Sequence, residues 1–157
     1  MTPLEMVLWA SVVCWVGGMV FWFFGLLPVT LQRLSHEEAG WSMHPIFPLL
    51  DTWVSVFGGV TLLLLPFVFQ DRYLTPQAIL LELPLTGMFL LSLHTALVLH
   101  PQMDDSRRRM KRSEYQGAVR LEMVRWKFVQ LHRQSILEHA IVLVLGFLAL
   151  FQLPGLL

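Results

Sequence analysis

Two histidines, His94 and His139, fall inside stretches whose length and apolarity predict consecutive, antiparallel membrane-spanning helices. Ionisable side chains in hydrocarbon are costly, so those present usually face the bundle interior and mark function. Helix rise places the two at similar depth. His94 precedes His100 by six residues, about 9 Å of helix. His139 follows His132 by seven, about 10.5 Å by the same rise. His100 and His132 are then expected to form a shallow layer, and His94 and His139 a deeper one. Two imidazoles meeting across a bundle can share a metal, and a b-type haem takes one axial nitrogen from each.

The residues around the pair suit such a site. Ser135 lies one turn before His139 and can back its imidazole. Ser92 and Thr95 beside His94 are small enough to leave room for a flat ligand, and can help fix ring tautomers. Arg125, Arg133 and His132 lie toward the end where haem propionates need cationic or polar partners. At about 100° per residue, His132 and His139 share a face, whereas His94 and His100 do not. Only one of that pair can point squarely at the bundle axis, and His94 is expected to be the one because its neighbours Ser92 and Thr95 are small. Glu138, about 100° from His139, is expected to face elsewhere. Other uses of the histidines stay open. Interhelical hydrogen bonding needs no metal. Copper or zinc would usually want a third ligand. A chlorophyll magnesium needs one imidazole and leaves the matched depth unexplained.

The elements that position these residues follow from composition. The chain has 157 residues, 55% hydrophobic and 14% charged, which is too apolar for an ordinary soluble domain. A span needs roughly 20 apolar residues. Four candidates meet that need, at about residues 4–31, 48–69, 76–100 and 116–152. The expected fold is all-α, one integral-membrane bundle of four transmembrane helices over residues 1–157. Gly40, His44-Pro45, Asp71-Arg72, Pro101 and the charge run Asp104–Arg112 are read as the separators. The first span carries no preceding Lys or Arg and no small-residue cleavage site, and is read as retained.

Nine of the eleven Lys and Arg residues fall between Arg107 and Arg133. By the positive-inside rule that region is cytoplasmic, giving N-out and C-out. Topology explains the basic run, and anionic lipid is a further use for it. The run lacks interleaved aromatics, so no nucleic-acid partner is expected. Gly17, Gly18 and Gly25, and Ser55 with Gly59, are expected at close helix contacts. Trp41, Trp53 and Trp126 are expected near the membrane boundaries. Phe21-Trp22-Phe23-Phe24 suits lipid contact, docking or the wall of a cofactor site. Cys14 is a lone thiol, so no intramolecular disulfide forms, and a buried role is expected. Asp51 is read as a partner for the basic region. Glu82 and Glu138 are read as proton carriers, quinone ligands or boundary groups. His36 and His44 are expected to be ordinary loop residues. No phosphate loop, dinucleotide fingerprint or zinc-protease motif occurs.

Several segments resemble the transmembrane protein 205-like family of four-span membrane proteins. They are Trp15-Val16-Gly17-Gly18 with Phe21 and Pro28, then Ala39-Gly40, Ile46-Phe47-Pro48, Pro101 with its following arginines, and Phe128-Val129-Gln130-Leu131-His132-Arg133-Gln134-Ser135. The last looks like the family's Phe-x-x-Leu-His-x-x-Ser stretch. The resemblance implies a four-span bundle without a settled biochemical role. Its pattern has asparagine where this chain has His94 and His139, and that paired departure points to a joint role for the two histidines.

The expectation drawn from these features is a b-type haem protein carrying electrons. It would act as a small subunit of a larger respiratory or photosynthetic complex, with a quinone or cytochrome as redox partner. The bacterial inner membrane is its expected location, and no catalytic activity of its own is expected. The rivals are a non-redox accessory subunit whose histidines bridge helices, and a metal- or solute-handling membrane protein.

Overall fold

The computed structural model of the protein describes residues 2–33, 46–70, 75–113 and 118–152, and every regular element among them is helical. Trp41, His36, His44 and Arg72 lie outside the described residues.

The first helical rod comprises α1 (Pro3–Val20), a π-helical segment (Phe21–Leu26) and α2 (Leu27–Arg33). Its start has a physical cause. Thr2 accepts from the Glu5 backbone N–H at 3.3 Å, and Glu5 accepts from the Thr2 N–H at 2.6 Å. This reciprocal cap satisfies otherwise orphaned donors, and Pro3 supplies a φ suited to the first turn. The second rod is α3 (Ile46–Val68). The third comprises α4 (Pro76–His94), a π-helical segment (Thr95–Leu99) and α5 (His100–Ser113). Thr75 caps α4 by accepting from the Ala78 N–H at 3.3 Å. The fourth is α6 (Ala118–Gln152).

Four stretches among the described residues are long and apolar enough to cross a membrane: Pro3–Thr30, Leu49–Val68, Pro76–Arg112 and Leu121–Gln152. The expected all-α four-span bundle is what the chain forms. Each rod packs on the next, and the first closes against the fourth. The core is apolar. From α1 it takes Leu8, Val12, Trp15, Val16 and Met19, at the spacing of one helix face. Leu81, Leu85 and Met88 of α4 and Val142 and Ala149 of α6 meet them.

The separators behave differently from expectation. Pro101 and the Asp104–Arg112 run do not end the third rod; helix continues through both. Each π segment stands two residues before a proline, Pro28 or Pro101. The Leu27 N–H reaches the Trp22 carbonyl and the His100 N–H reaches the Thr95 carbonyl. Proline lacks the N–H for the carbonyl four back and its ring crowds that carbonyl. A widened turn accommodates both without breaking the rod. Leu99 at its end and Met103 beyond it bury against Leu131, with Phe128 packed alongside. Leu99, Met103 and Ser106 have one-face spacing, a signal that the surrounding charges obscure. Arg109 pairs with Asp105 one turn away at 2.7 Å, an exposed pair that adds little.

The packing glycine of α3 is Gly58 rather than Gly59. A Cβ on Gly58 would lie 2.7 Å from Phe89 and 2.9 Å from Trp15, whereas one on Gly59 meets nothing within 4 Å. Gly18 lies under Trp53, whose Nε1 donates to the Cys14 carbonyl at 3.1 Å and ties α3 to α1. Cys14 itself is half-buried. In the aromatic run, Phe21 and Phe24 are exposed on the outer surface, while Trp22 is buried in the core.

Candidate functional site

Asp51, His94, His100, Glu138 and His139 gather in the half of the bundle nearest the basic end. His100, first residue of α5, meets Asp51 of α3 through Nδ1 and a carboxylate oxygen. Both side chains are largely buried. On its other side His100 stacks with His139 of α6, with ring centroids 6.4 Å apart and planes at 25°. The Nδ1 of His139 lies 2.7 Å from the Ser135 backbone carbonyl, so it carries the proton and leaves Nε2 as the free ring nitrogen. Phe23, in the first π segment, packs against the same ring with centroids 6.1 Å apart. Asp51, His100 and His139 thus form one row across three helices.

A second group sits beside it on the seam between α4 and α6. His94 and Glu138 meet at 3.0 Å through Nδ1 and Oε2. The Thr95 hydroxyl donates to the same oxygen at 2.8 Å. The Gln134 amide donates to Oε1 at 3.0 Å. Glu138 is buried, and so is Thr95. The His94 side chain is 42% exposed on the outer surface of the bundle.

This arrangement corrects the expected pairing. His139 is buried, with Ser135 behind it as expected, but its neighbour across the bundle is His100. His94 turns instead to Glu138, which faces the α4–α6 seam while His139 faces the bundle interior. Asp51 pairs with His100 rather than with the basic region. The shallow layer does not form either. His132 is exposed and stacks on Phe128 with centroids 6.1 Å apart. Arg107 lies over that same Phe128 ring, 5.4 Å from its centroid. Arg125 and Arg133 are exposed on α6, outside the cluster. Ser92 bonds the Met88 carbonyl of its own helix.

The physical reason is packing. Spacing separates His94 and His100 onto different faces of the rod but does not say which face turns inward, and contact with α3 and α6 turns His100 inward. The π segment between the two further shifts their relative rotation from that of a regular helix. Among the described residues, no three His, Cys, Asp or Glu side chains converge as a metal-holding group.

Fold and cluster together define a four-span helical membrane protein with hydrogen-bonded ionisable groups inside its spans. Residues 10–112 match the family described as Domain of unknown function (DUF4149), and the chain belongs to that family. The matched segment carries Asp51, His94, Thr95 and His100. Ser135, Glu138 and His139 stand on the helix beyond it. No curated protein and no solved structure matches the chain.

Proposed function

We propose that this chain handles protons within the membrane, with the row Asp51, His100 and His139 taking up and releasing them near the basic end. The observation that carries the reading is the row itself, three ionisable side chains from three helices in contact inside membrane-spanning segments. Apolar residues would fill such positions at no loss of stability, and often with a gain. Ionisable groups kept there mark proton relays and ion paths. An Asp–His bond can hold its shared proton on either partner, and the adjacent His139 ring feels that choice electrostatically. With the basic end on the cytoplasmic side, protons exchange with that compartment and serve a partner subunit of a larger inner-membrane assembly. The test is a pH titration of histidine-labelled protein in nanodiscs by NMR. Asp51→Asn should change the His139 curve. Independent curves insensitive to Asp51 overturn the reading.

A b-type haem on His139 is the second reading. The Ser135 carbonyl on Nδ1 favours it, because that bond orients an imidazole for ligation through Nε2. His94 has Glu138 on its own Nδ1 but lies on the outer surface, so one iron shared by His94 and His139 requires these helix faces to turn. An absorbance spectrum of the purified protein, oxidised and then reduced, decides. A Soret band lost in His139→Ala supports haem and electron transfer. A flat spectrum after expression with ample haem removes it.

A further inference from the structure

We infer that the seam between α4 and α6 binds a membrane-dissolved amphiphile whose head group donates a hydroxyl hydrogen to His94, of the chemical class of a hydroquinone with an apolar tail.

The inference stands on the surface position of His94 and is independent of how the inner row is used. By spacing, His94 shares its face with Leu90, which is 59% exposed, and Leu97 in the adjoining π segment is 71% exposed. Leu137, next to Glu138, is 61% exposed. A half-exposed imidazole is thus set in an apolar, lipid-facing wall, where a leucine would carry no desolvation cost. The bonds around it fix its chemistry. Both oxygens of Glu138 are engaged, one by His94 and Thr95 and the other by Gln134. In the neutral imidazole the His94 Nδ1 proton is directed at the carboxylate, which leaves Nε2 as an acceptor. The head group must therefore donate. A phosphate or carboxylate would bring only acceptors, and Glu138 would repel it. A neutral hydroxyl partitions into the bilayer and meets the acceptor.

The surroundings suit such a molecule. The α6 surface beside the seam is open and carries Ile136, Leu137 and Ala140. Gln134, on the same surface, donates to Glu138, so this surface adjoins the His94–Glu138 pair. The tail lies along the exposed Ile136, Leu137 and Ala140 of α6.

The test uses the full chain, histidine-labelled, in nanodiscs. The probes are a decyl-substituted hydroquinone under reducing conditions and its dimethyl ether, which has the same shape and no donor. The hydroquinone is expected to shift the His94 resonance saturably and to leave His132 unmoved, and the ether to do neither. His94→Phe should weaken hydroquinone binding by about tenfold, whereas His94→Gln, which keeps an acceptor, should retain most of it. Equal response to both probes, or binding unchanged in His94→Phe, overturns the inference. If His94→Phe fails to fold, the two-probe comparison on the unaltered chain still decides. A second copy covering the seam, detected as a Leu97→Cys disulfide dimer in a Cys14→Ser background that excludes the hydroquinone, also overturns it.

Discussion

Glu138 and His139 are neighbours in sequence whose side chains serve two different places. Glu138 turns to His94 on the outer seam, and His139 turns inward to His100. The fourth rod thereby serves both polar groups at one level. The consequences of this arrangement can be measured.

The Asp51–His100 pair is largely buried, so removing one member leaves the other uncompensated. Asp51→Leu or His100→Leu should each lower stability by about 3 kcal/mol. The double substitution should recover much of that loss, because two apolar residues leave nothing unpaired. Denaturant unfolding in detergent of the four members of this cycle measures the coupling. Additive losses would show that the pair is not formed in solution.

Glu138 is the common acceptor of three donors, so losses there are expected to be unequal. Thr95→Val removes one donor and should cost about 1 kcal/mol. Glu138→Leu leaves the buried Thr95 hydroxyl and the His94 Nδ1 proton without their acceptor and should cost more, about 2–3 kcal/mol. Thermal unfolding of both variants in detergent orders the two effects.

Gly58 and Gly59 separate contact from composition. Gly58→Ala drives a Cβ against the Phe89 and Trp15 rings, and overpacking of that kind costs about 1–3 kcal/mol. Gly59→Ala meets open space and should be neutral or slightly stabilising, since alanine favours helix. A reversal of that order in detergent melting curves would place the α1–α3 contact elsewhere.

The second π segment should tolerate a deletion that a regular helix does not. Removing the exposed Leu97 converts the wide turn to a regular one and keeps the residues on either side in phase. The variant should fold and still lose stability on Asp51→Leu. Removing the exposed Leu90 from regular α4 instead rotates everything beyond it by about 100° and should abolish the Asp51–His100 coupling.

Much of the site's material was legible in the sequence. His94, His139 and Ser135 stand out as polar residues in apolar runs, and the Ser135–His139 contact follows from one-turn spacing. Asp51 reads as a partner for the basic region but meets His100, and helical phase separates Glu138 from His139 without naming His94 as its partner. The stripe Leu99, Met103 and Ser106 was available as a sign that the third rod continues past Pro101. The dense charges around it read more strongly as a break.

The sequence alone determined the four spans, because crossing a bilayer demands long apolar helices whatever their neighbours. It also determined that ionisable groups lie inside them. Only the tertiary structure decided which of these groups meet. Helical periodicity fixes rotation within an unbroken rod. A π turn resets that rotation, and the helix that supplies each partner is set by packing across the bundle. For those reasons His139 meets His100, and His94 meets Glu138.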